Sequence, residues 1–277
     1  MKWSRADLNV YRKIKLRSRA SSMTARLLPF RVLGILESIG QIGLGKGWVG
    51  GIDNEIRTLL LLKNSLGLPR IVALDIGANR GDWTSTLKQM DPSAEVHLFE
   101  PSMDTFELLR VNLQGLSNTY LYQTAIGNNV GKTKLYSDFA TSPLASLSAR
   151  RIEHEGVAFS NVEDIDVITL DHWKREHEEV APNVLKIDVE GHELEVLMGG
   201  QSLLPQLRII QFEFGGTDID SKVFFQDFWY FFSTKNFKIL RLTPKGLLEI
   251  KQYSENEEVF KFTTLYAVST ELASVNS

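Results

Sequence analysis

The sequence predicts an α/β fold in which a mostly parallel sheet carries helices on both faces. Three observations lead there. An apolar run over 71–74 ends in Asp75 and a glycine turn; a second run over 96–99 ends in Glu100; and strand-like and helix-like segments alternate from Ile71 onward. A chain of 277 residues is long enough to bury one sizeable α/β core and to carry an appended segment.

Each element follows from local pattern. Residues 55–66 read as a helix leading into the first strand. Strands are expected at 71–75, 95–99, 119–124, 183–188 and 208–213, with helices near 82–90, 103–115, 170–179 and 191–203. The interval 127–168 exceeds a simple connection, and 132–136 and 166–170 read as short strands around a loop. Long excursions at the carboxyl edge of a sheet commonly cover a site. Beyond Phe214, the aromatic-rich stretch 223–234 reads as a helix. Its Phe224, Phe225, Phe228, Trp229, Phe231 and Phe232 are read mainly as core, because aromatics at helical spacing usually pack on a sheet. Residues 238–250 form a hairpin around Pro244-Lys245-Gly246, and 263–268 form the last strand.

Composition narrows the function classes. A hydrophobic content of 43% with 23% charged residues is that of an ordinary soluble domain. A formal charge of −3 gives no reason to expect nucleic acid as a partner. The chain contains no cysteine, which excludes disulfides and thiolate metal sites and fits a reducing, cytoplasmic compartment.

Charge is unevenly distributed. Lys2, Arg5, Arg12, Lys13, Lys15, Arg17, Arg19, Arg26 and Arg31 face only Asp7 within the same stretch. Residues 1–42 read as helical with a break near Pro29, and 43–51 read as a glycine-rich joint. The expected domain division is therefore a basic extension and linker over 1–51 and a main domain over 52–277. Two readings stand for the extension: a basic arm on an anionic membrane surface, or a solvated helix or dimer contact. Composition favours the second, since membrane use requires a continuous apolar face.

The chemistry concentrates at strand ends. Glycine at the 77–81 turn admits positive φ and close approach of a ligand to the backbone. Asp75 at the strand terminus would repel a pyrophosphate but suits a ligand offering an ammonium group and hydroxyls. Glu100, at the end of the second strand, is placed to accept from both hydroxyls of a ribose. The densest cluster of ionisable groups is Lys186-Ile187-Asp188-Val189-Glu190-Gly191-His192-Glu193. Within it His192 is the candidate general base, since neutral imidazole is available near pH 7, and Asp188 the group that orients it or binds an acceptor hydroxyl. Glu190 and Glu193 read as acids favoured by a helix N-terminus. No recognised metal motif is present, so no metal site is assigned.

The turn Asp75-Ile76-Gly77-Ala78-Asn79-Arg80-Gly81 with Thr84 resembles motif I of class I S-adenosylmethionine methyltransferases, and more narrowly the FkbM family. The resemblance continues in order through Phe99-Glu100-Pro101, Thr169-Leu170-Asp171, 186–193, 196–200 and Glu213, covering about residues 70–215. It implies a Rossmann-like fold with a seven-stranded sheet whose final antiparallel strand inserts beside the fifth. It implies S-adenosylmethionine as cofactor, with Gly77, Asn79 and Gly81 beneath its amino-acid portion and Ala125 near its adenine. It also implies O-methylation of a hydroxyl on a sugar, glycan or secondary metabolite, a small-molecule or glycan acceptor. Where the family often has Ser-Ser-Leu, this chain has Ala145-Ser146-Leu147, one hydroxyl short. Two competing readings are a nicotinamide-dependent oxidoreductase, which would use Glu100 equally well, and a non-catalytic membrane-apposed scaffold.

Overall fold

In the computed structural model, residues 28–48 and 50–271 are described. The helical reading of residues 1–27 lies outside them. The described chain opens with helices α1 (Phe30–Gly43) and α2 (Ile52–Ser65). It then alternates β1 (Val72–Ile76), α3 (Asp82–Met90), β2 (Glu95–Phe99), α4 (Met103–Asn112) and β3 (Thr119–Tyr122). An excursion follows with β4 (Ala125–Ile126), β5 (Gly131–Ser137) and β6 (Asn161–Ile168). The main alternation resumes with α5 (Leu170–Glu176), β7 (Val184–Ile187), α6 (Glu193–Met198) and β8 (Ile209–Phe214). The last part comprises α7 (Thr217–Ser221), α8 (Phe225–Ser233), β9 (Phe237–Thr243), β10 (Gly246–Ile250) and β11 (Thr263–Ser269).

The main sheet has the order β10-β9-β11-β8-β7-β1-β2-β3. β3, β2, β1, β7 and β8 are mutually parallel, while β11 runs antiparallel between β8 and β9. The inserted final strand is thus as expected, but the sheet has eight strands rather than seven. The extra one is β10, the return of the hairpin, which pairs with β9 from Gly246 to Ile250 and extends the edge. The excursion builds its own three-stranded sheet in the order β4-β6-β5.

Burial on both faces explains the composition of the central strands. In β1 all five residues are buried, and neighbours alternate between two apolar layers: Val72, Leu74 and Ile76 on one side, Ala73 on the other. One layer adds Ile56, Leu59, Trp83 and Leu87 from α2 and α3; the other adds Trp173, Leu197, Phe225 and Phe228 from α5, α6 and α8. The aromatic helix behaves as core: Phe225, Phe228 and Phe232 are buried, with Phe228 stacked on Phe212 at 5.0 Å between ring centroids. Phe224 stays half exposed.

Because the chain goes from β1 to β2 on one side and returns to β7 on the other, a crevice opens at the carboxyl ends of β1 and β7. The segment after α1 is held against the far half of the sheet. Gly47 N donates to Phe262 O at 2.8 Å, and buried Lys46 pairs with Glu257 at 3.0 Å. Truncation of the central aromatic, Phe228→Ala, is expected to lower unfolding free energy in urea by about 3–5 kcal/mol, the usual cost of an emptied ring site.

Candidate active site

The turns that follow the strands are shaped by steric necessity. Gly77 has φ 74°, and a Cβ there would lie 1.9 Å from the carbonyl oxygen of Asp188. The ends of β1 and β7 therefore meet backbone to backbone, which only glycine permits. Two non-glycine residues beside this contact also adopt left-handed backbone: Asn79 at φ 49° and Glu190 at φ 55°. Such conformations cost about 1–3 kcal/mol each and cluster at functional sites. Gly81, at φ 86°, serves a different need. It caps α3, and a Cβ there would meet Leu109 of α4 and Leu113 just past its end.

Two adjoining cavities occupy the crevice. The first, of about 590 Å³, is lined by Ile76, Phe99, Glu100, Ala125, Ile126 and the 142–147 segment. The second, of about 950 Å³, is lined by Glu55, Asp82, Trp83, Lys186, Glu213 and Phe262 among others. They share Gly77, Asn79, Pro143, Asp188 and Glu190 as a common wall.

Glu100 forms part of the first cavity. Its Oε2 accepts from Asn79 N at 3.1 Å and its Oε1 from Ser102 N at 3.0 Å, which fixes the carboxylate while leaving further lone pairs toward the cavity. Burial pushes its pKa up to about 7 against the pull of these two amides and of Lys186, with Glu163 adding a smaller upward push.

Asp75 does not line either cavity, which corrects the expectation that it grips a ligand directly. It is wholly buried: Thr84 Oγ1 donates to its Oδ2 at 2.7 Å, and its Oδ1 faces Lys186 Nζ at 3.2 Å. That second contact is poorly aligned for a hydrogen bond and acts as an electrostatic one. The same ammonium reaches Asp188 Oδ2 at 3.3 Å and donates to Gly77 O at 3.3 Å. Burial would pull the lysine pKa down, but Asp75, Asp188 and Glu213 outweigh it and keep Lys186 charged. The sequence placed this lysine in the ionisable cluster but gave it no role, although a cation in the otherwise apolar strand 184–187, two residues before Asp188 on the same face, was the available signal.

His192 is also displaced from its expected role. Its ring lines neither cavity: Nδ1 lies 2.9 Å from Glu195 Oε2 and Nε2 lies 3.0 Å from Ser148 Oγ, so both nitrogens are engaged. It pins the 142–150 strap over the first cavity. Ser146 Oγ donates to Glu190 O at 2.8 Å, and Arg150 pairs with Glu190 at 3.2 Å. Asp188, by contrast, borders both cavities, as does Glu190, which the sequence presented only as a helix-start acid. Burial, then the Asp188 charge, raises Glu190 to about 8 despite Arg150.

The second cavity is thus rich in carboxylates. Glu55, Asp82, Asp188, Glu190 and Glu213 face it, with Lys186 and Arg80 as its cations. Burial, Asp188 and Glu55 push Glu213 well above the usual carboxylate range. Glu55 is raised by burial, and its Oε2 accepts from Gln211 Nε2 at 2.7 Å, while Gln211 Oε1 accepts from Trp83 Nε1 at 3.3 Å. Among the described residues no group of three or more His, Asp and Glu is arranged to hold a metal ion.

Removing the lysine charge isolates Asp75. Lys186→Met is expected to destabilise by about 3–5 kcal/mol in urea melts, and Asp75→Asn with Lys186→Met to cost clearly less than the sum of the singles. Strict additivity would contradict the pairing. The raised acids also set a pH dependence. Glu100 (about 7), Glu190 (about 8) and Asp218 (about 8) bind more protons folded than unfolded, so stability falls as pH rises. The loss accumulates from about pH 4, where these acids ionise in the unfolded chain, to about pH 8, where the last of them ionises in the folded one, and Glu190→Gln should flatten it by at most about 1.4 kcal/mol per pH unit in urea melts.

Comparison with known proteins follows this geometry. The family model described as the methyltransferase FkbM domain matches residues 75–239, from the acid of the first turn to the start of the hairpin. The hexuronic acid methyltransferase AglP of Haloferax volcanii is 31% identical over 140 residues, covering 50% of this chain and 54% of AglP. The 2-O-methyltransferase NoeI of Sinorhizobium fredii is 26% identical over 164 residues, covering 54% of this chain and 66% of NoeI. The chain thus spans between about half and two thirds of the length of these relatives. Among solved structures, the plantazolicin methyltransferase BpumL in complex with SAH aligns at 10% identity with a TM-score of 0.44, covering 79% of this chain and 83% of that one. With the match covering more than half of its length and the turns at the carboxyl ends of β1, β2 and β7, this chain belongs to the FkbM methyltransferase domain family.

Proposed function

We propose that this chain is an S-adenosylmethionine-dependent O-methyltransferase acting on a hydroxyl of a sugar or glycan. The observation that carries the proposal is the paired cavity. One half offers a fixed carboxylate, Glu100, beside apolar Phe99, Ala125 and Ile126; the other is lined by acids. A nucleoside fits the first half: ribose hydroxyls donate to Glu100, and an adenine ring lies against the apolar wall near Ala125. A cationic amino acid portion fits the common wall at Gly77, Asn79 and Asp188. Likeness to a hexuronic acid methyltransferase and a 2-O-methyltransferase supports the acceptor class.

Bound there, S-adenosylmethionine would supply an electrophilic methyl on a positively charged sulfur. The protein's own work is alignment and proton removal. Glu190 borders both cavities with a pKa near 8, so its carboxylate is the better candidate to take the acceptor's hydroxyl proton than His192, whose ring is turned to the strap. Asp188, steadied by Lys186, is placed to hold the acceptor hydroxyl or the cofactor's ammonium. The carboxylates on the second cavity favour a cationic electrophile electrostatically.

The nicotinamide reading finds no support, because a pyrophosphate crossing this crevice would meet Asp82, Asp188, Glu190 and Glu213. The non-catalytic scaffold reading finds none either. A cytoplasmic compartment belongs to the proposal, as does peripheral contact with a membrane through the basic N-terminal segment.

Calorimetry with S-adenosylhomocysteine tests the nucleoside half. Glu100→Gln should weaken binding by about 10- to 100-fold, the worth of hydrogen bonds to a charged acceptor. In transfer of labelled methyl to a panel of sugars and uronic acids, Glu190→Gln should lower kcat by about 10²–10⁴ with S-adenosylhomocysteine affinity nearly unchanged. Absence of any heat with either the cofactor or its demethylated product would overturn the reading.

A further inference from the structure

The α1 helix presents its apolar stripe outward. Val32, Ile35, Leu36, Ile39 and Ile42 recur at the spacing of one helical face, and each is between 37% and 61% exposed. None of the helix's residues is buried. Its attachment to the rest of the protein lies on the opposite side. Lys261 Nζ donates to Gln41 Oε1 at 2.6 Å, and Gln41 Nε2 donates to Glu37 Oε1 at 3.1 Å. Immediately after the helix the chain is clamped by Lys46 on Glu257. A surface helix ordinarily turns its apolar stripe to the core and its polar side to water. Here the stripe is left facing outward, and the contacts of Gln41 and Lys46 hold it there.

We infer that α1 is an interfacial helix that lays Val32, Ile35, Leu36, Ile39 and Ile42 into an anionic membrane surface, with the basic segment before it binding lipid headgroups. Charge selects this occupant. Residues 1–31 hold nine lysines and arginines against one aspartate, whereas the chain as a whole is negative at −3. The basic residues thus sit directly upstream of the stripe, and the remaining surface is acidic. This is the composition of a polybasic segment joined to an amphipathic helix, which binds through apolar burial plus attraction to anionic lipid. A second copy is the less favourable occupant. A 14-residue helix offers a small contact for a stable dimer, and pairing would bring two such basic segments together. Among the described residues no helix is long and apolar enough to cross a membrane, so the contact lies along the surface. The acidic surface of the main domain keeps that part off the lipid, leaving its crevice free.

Co-sedimentation of the full chain with phosphatidylcholine vesicles, with and without phosphatidylglycerol, tests the inference. Binding is expected only to the anionic vesicles and should fall as salt is raised. Ile35→Glu with Ile39→Glu should weaken it roughly tenfold or more, because two apolar side chains no longer enter the lipid. Leu61→Glu, at an exposed apolar position on α2, should leave it unchanged. All these positions are exposed, so the fold tolerates the changes. Failure to bind anionic vesicles overturns the inference. So does binding that Ile35→Glu with Ile39→Glu does not alter, or a concentration-dependent dimer that this pair abolishes without any vesicle binding. The readout is independent of methyl transfer, so its failure leaves the catalytic proposal intact.

Discussion

One buried ammonium holds the crevice together. Lys186 sits in the central strand β7 and reaches Asp75 at the end of β1, Asp188 just past its own strand, and the carbonyl of Gly77. One hydrogen bond to a carbonyl and two carboxylates within 3.3 Å make a charge tolerable in an almost dry environment. The arrangement ties two adjacent parallel strands at the point where the strand order reverses. Without it, Asp75 would be a buried anion with only the Thr84 hydroxyl for company.

The acids around this lysine are not there for stability. Glu100, Glu190 and Glu213 are all raised by burial, so the folded protein bears a cost for each when ionised. Together with left-handed backbone at Asn79 and Glu190, they concentrate strain and desolvation along one wall. The offsetting stability comes from the two apolar layers that sandwich β1, β7 and β8. A cationic ligand would relieve the repulsion among these carboxylates.

The frame was legible because its rules are local. Alternating apolar runs marked β1, β2, β7 and β8, and the Asp75-to-Gly81 turn marked the crevice. Glu100, Asn79, Ala125 and Asp188 fall on its walls. What the sequence hid depends on side-chain direction. Asp75 points into the sheet toward Lys186, and His192 leans toward Ser148 rather than inward. Neither direction follows from spacing, because each is decided by a partner far along the chain. Gly81 was correctly read as a backbone necessity, but its neighbour is α4. The hairpin over 238–250 was legible, but that its second arm counts as an eighth strand of the main sheet was not, because β10 is exposed except at Ile250 and carries no burial pattern.

Since even a methyl group is excluded between Gly77 and the Asp188 carbonyl, no side chain can be introduced at that point of the crevice without parting the ends of β1 and β7. The bare backbone there is a fixed datum from which the side chains of the 142–150 strap measure the height of the opening.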